Sequence, residues 1–122
     1  ANNRPQQNGA RDAAGVYLGV PGTQVALTDS TTMGVSLVYR GLRLKPGDEV
    51  LTTEHDYYVT HEALRLSAER SGATVRRVKL HETPLPADIS ADALVDAFIR
   101  EVRPNTRVLA VTFVHSSTGL RL

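Results

Sequence analysis

Three short stretches of this chain carry side chains able to do chemistry. In the first, Thr28–Val38 (TDSTTMGVSLV), Ser30, Thr31 and Thr32 stand at the mouth of an apolar helix. The opening turn of a helix leaves N–H groups unpaired and carries partial positive charge, so a phosphate or carboxylate is stabilised there. Hydroxyls add neutral donors at the same place, although plain N-capping employs the same residue types. The Gly-rich run and lysine of a Walker loop are missing. The second stretch is TTEHDYY, where His55 can stack on a planar ring, act as acid or base, or bind metal; a surface-loop histidine is the plainer reading. His61 falls on the helix that follows, and neither histidine has a second ligand at helical metal spacing, so no metal site is expected. Tyr57 and Tyr58 could line a pocket or pack at the helix start. In the third stretch, VHSSTG (114–119), Ser116 and Ser117 can hydrogen-bond a ring while Gly119 permits a tight turn; a simple Ser/Thr turn is the alternative.

The elements that must hold these stretches alternate. Arg11–Leu18 reads as a short helix, and Gln24–Thr28 (QVALT) as a first strand. Thr32–Leu42 is a largely buried helix, and KPGDE (45–49) is a turn. Glu49–Thr53 is the second strand. Tyr58–Ser71 is a helix closed by Gly72, and Ala73–Leu80 is the third strand. After a Pro-containing connection over 81–89, Ser90 caps a helix whose amphipathic stripe covers Ala93–Val102. Thr106–Val114 is the most apolar strand, and its run Val108–Val111 suits a central parallel position. Strands alternating with helices imply an α/β fold, three layers (α-β-α) around a mostly parallel sheet. In such sheets ligands bind beyond the carboxyl ends of the strands, so DSTT, TEHDYY and HSSTG are expected at one edge.

The bulk numbers narrow the function. A chain of 122 residues suits one domain, and 41% hydrophobic with 22% charged residues is an ordinary globular balance. Net charge is +1 with the basic residues scattered, so neither a nucleic acid nor a membrane surface is the expected partner. No apolar run is long enough to span a bilayer. Without cysteine there is no disulfide and no thiolate chemistry, and a cytoplasmic location is the default expectation. The polar residues 1–10 are expected to be poorly ordered, leaving 11–122 as the folded portion. A start without Met and a stop just after an apolar strand suggest a piece of something longer.

Taken together, VALTDSTTMGVSLV, LKPGDEVLTTEHDYYVTHEAL, RSGATVRRV and PNTRVLAVTFVHSSTG resemble, in that order, the large domain of the class V aminotransferases. These are pyridoxal-phosphate enzymes of fold type I, including cysteine desulfurases and isopenicillin N epimerase-like proteins. The resemblance implies that Thr31 and Thr32 form the phosphate turn and that His55 stacks on the pyridine ring, with a possible part in proton transfer. It puts Ser116 where desulfurases commonly carry an Asn to the ring hydroxyl, a role Ser117 could share. It further implies an amino-acid or amine substrate and a homodimer. The family also needs a Schiff-base lysine and a carboxylate on the pyridine nitrogen, both later than the STG segment. Lys45 and Lys79 are not at the expected place, and Asp29, Asp48 and Asp56 precede the carboxylate's. The chain is therefore expected to be the N-terminal part of the cofactor domain of an enzyme and not competent alone. HDYY and SSTG favour the epimerase- and aminotransferase-like branch. The alternatives are a non-catalytic phosphate- or nucleotide-binding α/β module and an inactive fragment.

Overall fold

A computed structural model describes residues 4–82, 89–116 and 118–121. The chain forms two compact units, residues 1–34 and 35–122. The first begins with helix α1, Arg4–Leu18, so the helix starts earlier than Arg11 and takes in most of the polar segment. Pro5 sits in its opening turn, where a missing N–H costs no hydrogen bond. Gly19, at φ 70°, ends it in the left-handed region that glycine enters freely. Gly15 is buried beneath the returning chain: a Cβ there would lie 2.6 Å from the Val20 carbonyl oxygen.

The segment Gln24–Thr28 is not the strand expected of it. Gln24 closes a 3-10 turn, Gly22–Gln24, and Val25 is extended, but among the described residues none of this segment joins a ladder. Its composition permits an extended backbone, but a strand exists only where a neighbouring backbone pairs with it. Helix α2, Thr31–Arg40, follows.

The second unit is built on a three-stranded parallel sheet with the order β2-β1-β3, where β1 is Glu49–Thr53, β2 Thr74–Val78 and β3 Thr106–Ala110. All five residues of β1 are buried, so β1 is the central strand. The apolar run in β3 had pointed to that strand instead. Among the described residues β3 has β1 as its one strand neighbour, and Leu109 and Val111 are about half exposed. Helix α3, Tyr58–Ser71, covers one face by setting Leu64 against Val50 and Ala110. Helix α4, Ala91–Ile99, covers the other through Leu94, which joins Leu51, Val78 and Leu80. This is the expected three-layer arrangement.

The punctuation is local. The Asp48 carboxylate accepts from the Lys45 N–H at 2.8 Å to close the turn before β1. Gly72, at φ 71°, ends α3, and the Ser90 hydroxyl accepts from the Ala93 N–H at 3.1 Å to start α4. One irregularity matters for the sheet. Glu49 pairs with Thr106 but Val50 pairs with Val108, so Arg107 is an extra residue bulged out of β3. Its side chain lies 3.5 Å from Asp48, and Val108 faces the α3 side of the core in its place.

Glu49 brings a carboxylate into the sheet at the entry end of β1. Arg76 grips it in two places, at 2.8 and 3.1 Å, and Thr106 donates to it at 2.7 Å. Arg76 also meets Glu101 at 2.5 Å. The Arg76 bonds hold the Glu49 carboxyl below its ordinary value of 4.5 despite burial, with Thr106 and the Arg103 charge adding to them. A depressed carboxyl contributes stability above pH 4.5 and loses it as pH falls through the lowered folded value. Replacing Arg76 by Met in the full-length protein removes both guanidinium bonds and leaves this carboxylate only Thr106 and the more distant Arg103. The expected loss is about 3 kcal/mol in urea denaturation at neutral pH, diminishing in acid where Glu49 takes up a proton.

Candidate active site

The exit end of the sheet gathers three imidazoles. His55 follows β1, His81 follows β2 and His115 follows β3, so each strand delivers one. The rings of His55 and His81 stack, with centroids 3.8 Å apart and planes within 7° of parallel. His115 is tilted, 5.7 Å from His55 and 6.3 Å from His81. His81 and His115 are buried and His55 is half-buried. Nε2 of His55, Nε2 of His81 and both ring nitrogens of His115 are buried without a hydrogen-bond partner among the described residues.

Asp56 fixes where His55 emerges. One carboxylate oxygen accepts from the Thr53 hydroxyl at 2.7 Å, and from the Thr53 N–H and the Thr52 hydroxyl, each at 3.2 Å. The other accepts from the Thr112 hydroxyl just beyond β3. One side chain thus folds the β1 exit back on itself and pins it to the neighbouring strand's exit. Burial pushes its carboxyl up, but the bonds from Thr112, Thr53 and Thr52 outweigh that and hold it below 3.8. His61, read from the sequence as a helix-face residue, is also structural: its Nε2 donates to the Thr53 carbonyl at 2.8 Å and ties α3 to β1. Tyr57 and Tyr58 do not enter the core; both are exposed and their rings pack on each other.

In the first unit, Ser30 proves to be the N-cap of α2. Its hydroxyl accepts from the Met33 N–H at 3.1 Å, and its carbonyl accepts from the Gly34 N–H at 3.0 Å. Gly34 lets Thr28 pack closely, since a Cβ there would meet the Thr28 hydroxyl at 3.0 Å. With Ser30 occupied in capping, Thr31 and Thr32 begin the helix exposed, and neither hydroxyl bonds to another described residue. Ser116 is exposed in the turn after His115, which closes through the Gly119 N–H to the His115 carbonyl at 2.8 Å. Ser117 lies outside the described residues.

Sequence reasoning singled out His55 and missed His81, which lay in a connection with no motif. The available signal was positional: a histidine within a few residues of each strand's end. Burial lowers the His55 ring below its ordinary value of 6.5, helped by the His81 and His115 rings and opposed by Glu54 and Asp56. Burial likewise lowers His115, with Asp56 opposing and His81 assisting. His55 is therefore a neutral imidazole at neutral pH, able to accept a proton or stack on an electron-poor ring. Among the described residues, no group of three or more His, Asp or Glu is arranged to hold a metal ion.

With the site in view, comparison with known proteins places the fold. The family model for aminotransferase class-V matches residues 5–122, and the chain belongs to that family. It is 32% identical over 114 residues to isopenicillin N epimerase from Streptomyces clavuligerus, covering 93% of this chain and 27% of that protein. A probable cysteine desulfurase from Vibrio cholerae is 24% identical over 120 residues, which is 95% of this chain and 28% of that one. Among solved structures, the cystine C–S lyase C-DES, determined with its product cysteine persulfide, superposes with a TM-score of 0.78. That match has 26% identity and covers all of this chain and 31% of that one. The fold is thus the fold type I large domain, over less than a third of the length of these relatives.

The orphaned nitrogens generate a pH prediction. Below pH 6.5 the unfolded chain protonates His55 and His115 while the folded protein resists, so stability is full above 6.5 and declines as pH falls toward the lowered folded values. Replacing His115 by Leu is expected to flatten this decline. It should also raise stability at neutral pH by about 1 kcal/mol, by removing two buried nitrogens that have no partner among the described residues. Urea midpoints measured across this pH range check both.

Proposed function

We propose that the full-length protein is a pyridoxal-5′-phosphate enzyme acting on an amino acid or amine. Residues 11–122 would supply the N-terminal portion of its cofactor domain. The observation that carries this is His55: a neutral, half-buried imidazole at the exit of the central strand, in a family whose relative C-DES was solved with glycine covalently linked to its pyridoxal-phosphate cofactor. Taken singly, residues of each unit suit parts of that group. A half-exposed aromatic face suits a pyridine ring, orphaned buried nitrogens await polar partners, and free hydroxyls at the start of a helix suit a phosphate.

When bound, the cofactor withdraws electrons from the substrate carbon and so permits transamination, epimerisation or carbon–sulfur cleavage. In this reading Thr31 and Thr32, with the unpaired N–H groups of α2's first turn, hold the phosphate. His55 would stack on the ring and could take part in proton transfer. Ser116 offers a short hydroxyl toward the ring's own oxygen, with Ser117 as an alternative donor. Neither lysine of the chain is at hand to anchor the cofactor. Lys45 precedes β1, at the opposite end of the strand from His55, and Lys79 is exposed and paired with Glu82 at 2.5 Å. The anchoring lysine and the carboxylate for the ring nitrogen are assigned to the remainder of the full-length protein. A cytoplasmic homodimer is the setting that accompanies the reading.

The test is borohydride reduction of the full-length protein loaded with pyridoxal 5′-phosphate, followed by peptide mass mapping. The cofactor is expected on a lysine outside residues 1–122. Labelling confined to Lys45 or Lys79 would falsify the assignment, and absence of any bound cofactor would leave a non-catalytic phosphate-binding module as the better reading.

A further inference from the structure

We propose that His81 is a positioning residue for His55, a stacked backing ring that holds the His55 imidazole with its other face turned to the cofactor. The inference rests on the cofactor reading above and adds a residue to which that reading gives no part.

Three observations carry it. First, the two rings are nearly parallel at 3.8 Å, so His81 covers one full face of His55. Second, His115 cannot cover the other face. Separations of 3.8, 5.7 and 6.3 Å describe a triangle close to right-angled at His55, which sets His115 beside the ring's edge. The second face is thus left free by both partners. Third, His81 is itself anchored. Its Nδ1 donates to the Glu82 carbonyl at 2.8 Å, which fixes the tautomer and the ring plane, and the preceding Leu80 is buried in the core against Leu51 and Leu94. A ring so held restricts the His55 side chain, which makes no hydrogen bond of its own within the described residues through Nε2. Side-chain order fixed before binding need not be lost on binding, so the backing ring favours cofactor capture.

The same contact affects protonation. The charged groups around His55 are Glu54 and Asp56, which favour its cation, and His81 and His115, which disfavour it together with burial. Removing the backing ring admits water to the covered face and removes one of the two opposing rings.

The experiment uses full-length protein and pyridoxal 5′-phosphate as the probe. The dissociation constant is measured for wild type, His81→Ala and His81→Phe, and the His55 titration is followed by NMR in each. His81→Ala is expected to weaken cofactor binding about 3- to 10-fold, the range of one aromatic contact. It should also move the His55 titration up toward its ordinary value. His81→Phe keeps a ring without a charge and is expected to bind within about twofold of wild type, so it remains informative where the alanine variant does not fold. Unchanged affinity and an unchanged His55 titration in His81→Ala would overturn the proposal. So would tighter binding, which would mean that His81 occupies the cofactor's place. Failure of wild type to bind the cofactor would instead count against the function, and the His55 titration would still decide the stacking.

Discussion

A strand buried along its whole length has to find internal partners for every polar group it carries, and β1 carries them at both ends. Glu49 enters the sheet as a carboxylate, and Thr52 and Thr53 leave it as hydroxyls, all with almost no access to water. The entry end is resolved by Arg76 from β2 and Thr106 from β3. The exit end is resolved by Asp56, which turns back to take up Thr52 and Thr53 and reaches across to Thr112. Both solutions knit β1 to its neighbours through side chains, in addition to the backbone ladder. The exit solution also dictates the site, because the residue preceding Asp56 in the turn it forms is His55.

The site is therefore a by-product of satisfying the sheet, and it is left unsatisfied in its own right. Four ring nitrogens in a small volume have no hydrogen-bond partner among the described residues. A buried polar atom without a partner costs stability, so this end of the sheet is held less favourably than the entry end.

Much of this was legible in the sequence because its determinants are local. Glu49–Thr53 and Tyr58–Ser71 have the bounds read from the chain, since the Asp48 turn, Gly72 and the alternation of pattern all act within a few residues. Ser90 was likewise recognisable as a cap. What could not be read depends on distant pairing. Gln24–Thr28 has strand composition but no ladder among the described residues, and the apolar richness of β3 suggested a central place that neighbours alone decide. In the site, His55 was marked by its motif. His81 carries no motif, and its meaning comes only from a stacking partner 26 residues away in the chain. Of the hydroxyls in the α2 turn, that of Ser30 caps the helix, and those of Thr31 and Thr32 make no hydrogen bond within the described residues.

The bulge at Arg107 bears on how this chain can change over evolutionary time. Side chains alternate between the faces of a strand, so the one extra residue decides which half of β3 looks toward α3. Pairing the same residues without the bulge would set Arg107 opposite Val50 and turn each later residue of β3 to the other face. Deleting Arg107 itself, by contrast, would leave Val108 opposite Val50 and Leu109 opposite Leu51, so the strand would become regular with Thr112 and His115 kept in place. Lineages of this domain can therefore differ by one residue at the start of β3 and still keep the same core faces.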